Sequence, residues 1–130
     1  MSAIPITTAL IKNKDNKYLL VQQQSRDYGE MTYLWYPPSG HLEKGETYKE
    51  CLIREMKEEL NIDIKPIKEM CVTKGDIKDY IVHWWECKLI GGTIQKDSTI
   101  KDFGYFTKEE IKKLNLFPQT RIFFNKYIWI

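Results

Sequence analysis

The chain has little cysteine, and what it has forms no recognisable framework. Its 3 cysteines, Cys51, Cys71 and Cys87, are odd in number and show no CxxC spacing. That argues against a disulfide scaffold and against a zinc site. No apolar run approaches membrane-spanning length, so no membrane partner is expected. There is no internal repeat, low-complexity tract or linker. Met1-Ser2-Ala3-Ile4-Pro5 has no basic region followed by an apolar stretch, so no secretory signal is expected. Charge of one sign is lacking too. Lys+Arg is 20 against Asp+Glu at 18, a balance that predicts no DNA binding and no polybasic membrane surface. The small basic excess reads as a solvated lysine-rich surface, and a reduced cytoplasm is the expected compartment.

What is present is a core. With 42% hydrophobic residues in 130, the chain suits one domain over residues 1–130 and not a disordered tail. Thr7–Ile11 and Tyr18–Gln22 read as a hairpin across the turn Lys14–Lys17. Ser25–Met31 reads as a loop, and Tyr33–Tyr36 as a short aromatic strand stopped by Pro37-Pro38. A helix follows, started by a capping box of Thr47 and Glu50, with Ile53, Met56 and Leu60 as its apolar stripe. Asn61 supplies its left-handed end. Ile64–Thr73, Tyr80–Cys87 and Phe103–Phe106 read as strands, with a turn or bulge at Gly91-Gly92. Thr107–Leu114 is a capped helix and Gln119–Tyr127 the last one. Strands, helix, strands, helix predicts an α+β fold, an α/β/α sandwich around a mixed β-sheet.

The chemistry concentrates between Gly40 and Ile62. Glu55, Glu58 and Glu59 stand at i, i+3 and i+4, so their carboxylates share one helix face. Bare, they repel; a divalent cation relieves that and takes oxygen ligands of this kind. An ordinary solvated, charged helix face is the alternative reading of these glutamates taken alone. Arg54 has Glu50 four residues before it and Glu58 four after, within reach of a carboxylate. Gly40 and Gly45 let backbone come close to an ion or a phosphate. Glu43, His41 and His83 read as surface or packed residues.

The whole segment resembles the Nudix box, in which Gly, Glu, then Arg-Glu-apolar-x-Glu-Glu-x-Gly-apolar fall at fixed spacing. Gly40, Glu46, Arg54, Glu55, Met56, Glu58, Glu59 and Ile62 match; Asn61 stands where the family has Gly. The approach Trp35–Gly40 is similar to the family's Pro-Gly-Gly loop, with Ser39 replacing one Gly. The resemblance implies an α/β/α sandwich and an Mg²⁺-dependent pyrophosphohydrolase, with Mn²⁺ as a substitute. It would cut the diphosphate bond of a small nucleotide and release a nucleoside phosphate. By position, Glu55, Glu58 and Glu59 would hold metal, with a carbonyl of Ser39 or Gly40. Glu55, Glu58, Arg54 and Glu46 would form the catalytic set: Glu55 a candidate base, Glu46 and Arg54 bracing loop against helix.

The box does not name the substrate. Trp35, Tyr36, Tyr80, Trp84, Trp85 and Phe117 are able to stack on a base or to pack in the core. Alternation sends Trp84 and Trp85 to opposite faces. Tyr80 lies near where diadenosine-polyphosphate hydrolases place a Tyr, and no Pro of the ADP-ribose type stands at Ile77-Lys78-Asp79. Leu116–Arg121 resembles the Phe-Pro loop of the oxidised-guanine-nucleotide branch, with Arg121 in place of its base-reading Asn. Trp35, Tyr80, Phe117 and Arg121 are therefore the substrate-binding candidates, and an NTP or dinucleoside polyphosphate the expected substrate. Asp97 and Asp102 are further acidic candidates. The alternatives are a nucleotide-sensing module and an RNA 5′-end pyrophosphohydrolase. A binding module is disfavoured because Glu55, Glu58 and Glu59 are all present. Monomer and homodimer both remain open.

Overall fold

The computed structural model describes residues 3–24 and 31–129. β1 (Ile4–Lys12) and β2 (Tyr18–Gln23) form the expected hairpin. Its turn is closed by Asn13, whose Oδ1 accepts from the backbone N–H of Asp15 at 2.9 Å and of Lys17 at 3.0 Å. The two strands pair at Lys12 and Tyr18 and then splay. Into the gap comes the later segment that leads to the box. Tyr36 pairs with Val21 of β2, and β3 (Ser39–His41) pairs antiparallel with Ile6–Thr8 of β1. Pro37 and Pro38 lie between them, where a residue with no N–H costs no ladder bond.

The rest of the sheet is built outward from β1. β4 (Ile62–Lys74) and β5 (Tyr80–Gly92) form a long antiparallel hairpin, and β5 runs parallel to β1 from Ile4↔Tyr80 to Lys12↔Lys88. β6 (Ile100–Phe106) covers the other side of β2. The order is β4-β5-β1-β2-β6 with β3 on β1, a mixed sheet of 6 strands. α1 (Tyr48–Leu60) covers one face through Leu52, Met56 and Leu60 against Ile11, Val21 and Trp85. The other face carries α2 (Lys108–Lys112) and α3 (Pro118–Tyr127), where Trp84 stacks on Phe123 at 4.3 Å. This is the three-layer α/β/α sandwich, with the adjacent tryptophans on opposite faces as strand alternation requires.

Two local expectations change. Tyr33–Tyr36 is not a strand: residues 31–33 make a 3₁₀ turn and only single bridges follow. Tyr33 is solvent-exposed there, and Pro37-Pro38 prevent the ladder from continuing. Within α1, Ile53 faces solvent; the buried stripe is Leu52, Met56 and Leu60 with Cys51. An i, i+4 row set one residue earlier meets the sheet squarely, and Ile53 falls outside it. The Gly91-Gly92 turn or bulge is the end of β5, paired to Asp63 and Ile62 beside a register shift. Of the Ser25–Met31 loop, residues 25–30 lie outside the described residues.

Both capping boxes form. α1 ends on Asn61 in the left-handed region, φ 57° and ψ 36°, its N–H turned back to the carbonyls of Lys57 and Met56. Its amide also donates to the Thr93 carbonyl at 3.2 Å. The last carbonyls of α1 find donors in the loop after β5: Gln95 N–H to Leu60 O at 3.0 Å and Asp97 N–H to Glu59 O at 2.9 Å. A β-carbon without a local hydrogen bond costs about 1–2 kcal/mol in the left-handed region. Asn61→Ala is therefore expected to lose about 1 kcal/mol in urea unfolding. Asn61→Gly should stay within about 0.5 kcal/mol of the parent, relief of strain offsetting the lost amide contact. Equal losses in both variants would show that the amide contact, and not the backbone conformation, is what matters.

Candidate active site

The site begins with a steric requirement. Gly40 sits on β3 directly under α1, and a β-carbon there would lie 2.1 Å from Glu55 Cγ and 2.4 Å from Glu55 Cδ. Only glycine lets the Glu55 side chain lie across the strand. Thr8 Oγ1 and Ser39 Oγ are 2.8 Å apart, and Ser39 also donates to the Pro37 carbonyl at 3.1 Å. The approach loop is thus tied to β1 by side chains as well as by the ladder.

Arg54 joins that loop to the helix. Its Nε and Nη2 donate to the two oxygens of Glu46 at 2.6 and 3.0 Å. Nη1 donates to Glu55 Oε1 at 2.8 Å and to Glu58 Oε2 at 3.2 Å, and Nη2 reaches the His41 carbonyl at 3.1 Å. Glu50, four residues earlier, is engaged elsewhere: it accepts from Thr47 N–H at 2.8 Å as half of the capping box. Glu46 also accepts from the Glu43 N–H at 3.0 Å. The Arg54 hydrogen bond, then that backbone donor, hold the Glu46 carboxyl down at about 2. The Glu46 hydrogen bond, with that of Glu55, pushes the Arg54 guanidinium further above its usual range. Glu43 itself remains exposed, 3.6 Å from Arg54.

The other carboxylates lie in the opposite electrostatic regime. Burial raises Glu59 to about 9, reinforced by the nearby charges of Glu55 and Asp97, a hydrogen bond with Glu55, and Glu58. Glu55 is raised as well, by burial first, with Arg54 opposing and Glu58 adding to the rise. The pair is short of positive charge. Arg54 reaches only one side of it, and the donors are carboxylate oxygens, the chemistry that suits a hard divalent cation. Among the described residues no three acidic, His or Cys side chains converge as a ready cage; Arg54 draws Glu55 and Glu58 aside. The donor set fits a cation by its chemistry, with Glu55 and Glu59 at its centre. Asp97 is near enough to Glu59 to raise it, while its Oδ1 accepts from Thr99 N–H at 2.9 Å. Asp102 accepts from Phe103 N–H at 2.8 Å on β6.

Glu55 and Glu59 form one end of a cleft of about 120 Å³ that runs along β1 and β5 towards the N-terminus of α3. Ser39, Gly40, Tyr80 and Phe117 line it. Trp35 and Arg121 do not: Trp35 packs edge-on against Phe106 at 5.1 Å, and Arg121 donates to the Leu114 carbonyl at 2.8 Å. Glu46, Glu58 and Arg54 are not among its lining residues; Arg54 ties Glu46 and Glu58 to Glu55 beside it. Trp84, one of the aromatic candidates, also lines it, as do Gln23, Asp76, Gln119 and Thr120, which were not singled out individually from the sequence. Asp76 carries no local sequence signal; its place comes from strand pairing. It sits in the Gly75–Asp79 connection of the β4–β5 hairpin, and the parallel pairing of β5 with β1 brings that connection to the end of β1 where β3 also lies.

A carboxylate-bearing loop and helix, set on an α/β/α sandwich at one end of a cleft, defines a class of fold and site. The chain belongs to the NUDIX domain family, whose model matches residues 4–127. It is 40% identical to the 8-oxo-dGDP phosphatase NUDT18 of Danio rerio over 64% of this chain and 32% of that protein. It is 28% identical to the CTP pyrophosphohydrolase of Escherichia coli K12 over 73% of this chain and 70% of that protein. The fold matches that of the MutT protein from Methanosarcina mazei Go1 with a TM-score of 0.79 at 21% identity, covering 96% of this chain and 92% of that one. The chain spans about a third of the length of the Danio rerio relative. Among the described residues, no helix is long and apolar enough to cross a membrane.

The raised Glu59 has a consequence for stability. An unfolded glutamate releases its proton near about 4.3, and folded Glu59 keeps it up to about 9. Between those values the folded state holds more protons than the unfolded state. Stability from this group is therefore full below the lower value and is lost as pH rises through the upper one. Glu46 runs oppositely: its contribution is present above the unfolded value and is lost as pH falls towards about 2. In chelator, the melting temperature is expected to decline from pH 5 to pH 9, and Glu59→Gln to flatten that decline. An unchanged slope in Glu59→Gln would assign it to other groups.

Proposed function

We propose that this chain is an Mg²⁺-dependent pyrophosphohydrolase, with Mn²⁺ as a substitute. It cuts the diphosphate bond of a nucleotide-like substrate, of the NTP or dinucleoside-polyphosphate type, and releases a nucleoside phosphate. The observation that carries this reading is the Glu55–Glu59 pair, crowded and short of positive charge at one end of a cleft whose other end is aromatic. The family membership and the names of the relatives, which act on nucleotides, support it.

Glu55 and Glu59 would hold the cation, with Glu58 and the carbonyl of Ser39 or Gly40 completing its ligands. Bound there, the ion supplies charge neutralisation and Lewis acidity at the phosphoryl oxygens, the main requirement of phosphoryl transfer. The chain's own residues do the rest. Arg54 fixes the orientation of Glu55 through Nη1. Glu55 takes the proton of the attacking water. Glu46 holds Arg54 against the loop through two hydrogen bonds. Tyr80 and Phe117 flank the base, and their apolar surfaces keep water from that end of the cleft. A reduced cytoplasm suits the free thiols, since Cys51 and Cys87 are buried and unpaired with each other.

Hydrolysis of the best nucleotide in a substrate panel is expected to stop in excess EDTA and to return with Mg²⁺ or Mn²⁺. In ¹⁸O-labelled water the label should enter a phosphate product. Glu55→Gln should lower kcat by about 10²–10⁴-fold with a smaller change in KM, since base assistance acts mainly in the transition state. Full turnover after rigorous chelation, or label in the sugar, would remove the mechanism. Near-normal kcat in Glu55→Gln would move the base to another carboxylate and leave the metal platform standing.

A further inference from the structure

The end of the cleft away from Glu55 and Glu59 contains a carboxylate that the proposed chemistry does not use. Asp76 Oδ1 accepts from the Gln119 backbone N–H at 3.0 Å. α3 has no side-chain cap of its own, because Phe117 occupies the N-cap position and Pro118 follows. Asp76 therefore caps α3 from another hairpin, and that bond sets the direction of its carboxyl. Among the described residues, no Lys, Arg or His forms an ion pair with it. Burial raises its pKa, with the Gln119 donor opposing.

A single carboxylate without a cation beside it is a poor place for phosphate. It repels the anionic end of a nucleotide, and among the described residues it belongs to no group of three acidic, His or Cys side chains able to hold a metal. What it can accept is N–H hydrogen. Gln23, which also lines the cleft, supplies the complementary group. Tyr36 Oη donates to Gln23 Oε1 at 2.5 Å, which leaves Gln23 Nε2 as the donor. Phe117 packs edge-on against Tyr36 at 5.3 Å, so residues 117–119 tie the Gln23 side of the cleft to the Asp76 side. An acceptor of two adjacent N–H groups and an N–H donor lining the same cleft match one base edge. Guanine offers a carbonyl next to N1–H and the 2-amino group. Adenine and cytosine set a donor beside a ring acceptor that a carboxylate repels, and uracil has one N–H.

We propose that Asp76 is a specificity-determining residue that selects guanine-type bases by accepting from N1–H and the 2-amino group, with Gln23 donating to the 6-carbonyl. This rests on the reading of the cleft as a nucleotide site, and it deepens that reading by naming the base. Oxidation at C8 leaves this edge intact, so guanine and its C8-oxidised form are both accepted by it.

The test separates base selection from turnover. GMP, IMP, AMP, CMP and UMP are titrated calorimetrically into the wild-type protein and into Asp76→Asn. Asn retains an oxygen for the Gln119 N–H but presents an NH₂ to the base. The wild-type protein should bind GMP at least about tenfold more tightly than AMP, CMP or UMP, with IMP between, a pair of good base-edge bonds being worth that much or more. Asp76→Asn should erase the advantage of GMP over IMP and AMP while melting as the parent does. In parallel, the GTP to ATP ratio of kcat/KM should collapse in the variant through KM. Guanine selectivity without hydrolysis would sink the enzymatic reading and keep this one. Hydrolysis with no preference for GMP in the wild-type protein would overturn this one and keep the other. A preference that survives in a folded Asp76→Asn would also overturn it. Should the variant not fold, the order of wild-type affinities alone decides.

Discussion

The Arg54 guanidinium is the contact on which the site depends. It is the only group among the described residues that touches Glu46, Glu55, Glu58 and the His41 carbonyl together. An exposed ion pair is worth little, about 0–1 kcal/mol. This one differs in kind: the Arg54 side chain is 23% exposed and Glu46 and Glu55 13% each, and the Glu46 contact is bidentate. Charge-assisted, forked hydrogen bonds of that sort fix geometry as well as contributing energy. Remove Arg54, and Glu55, Glu58 and Glu59 face one another without its guanidinium, while the loop that carries Gly40 loses its tie to α1.

The sheet converts that local clamp into a cleft. Because β1 and β2 splay after Lys12↔Tyr18, the segment Tyr36–His41 enters the sheet plane and delivers Gly40 beneath Glu55. Because β5 is parallel to β1, the Gly75–Asp79 connection arrives at the same end. Ile4 N–H donates to the Asp79 carbonyl at 2.8 Å, and Tyr80 meets His41 edge-on at 5.4 Å. The two ends of the cleft thus differ in chemistry by topology: carboxylates from a helix at one, aromatic rings and a capping Asp at the other. Two loops from distant parts of the chain meet only because β1 is shared by β3 and β5.

The regular elements and the box were legible because their signals are local. A capping box reads from Thr47 and Glu50, a left-handed end from Asn61, and a shared helix face from the spacing of Glu55, Glu58 and Glu59. Trp84 and Trp85 separate by alternation alone. What escaped depends on pairing across distance. Tyr33–Tyr36 has strand-like residues, but the prolines and the splayed hairpin give it only bridges. Ile53 is as apolar as Leu52, and only the angle at which α1 meets the sheet decides which is buried. Trp35 was attractive as a substrate contact for its ring and Arg121 for its place in the Phe-Pro segment, yet Phe106 and the Leu114 carbonyl engage them. Asp76, an unremarkable loop acid in the sequence, gains its position from a strand pairing and from a helix that starts on Pro118.

The central claim is that loop and helix are held as one unit through Arg54. A double-mutant cycle tests it most directly: Glu46→Ala, Arg54→Ala and both together, with unfolding free energy and calorimetric Mg²⁺ affinity measured for each. If the clamp is a unit, the double variant loses less than the sum of the single losses, in stability and in Mg²⁺ affinity alike, since the second substitution removes contacts the first has already broken. Strictly additive losses in both measurements would contradict it, and would leave Glu46 and Arg54 as independent neighbours.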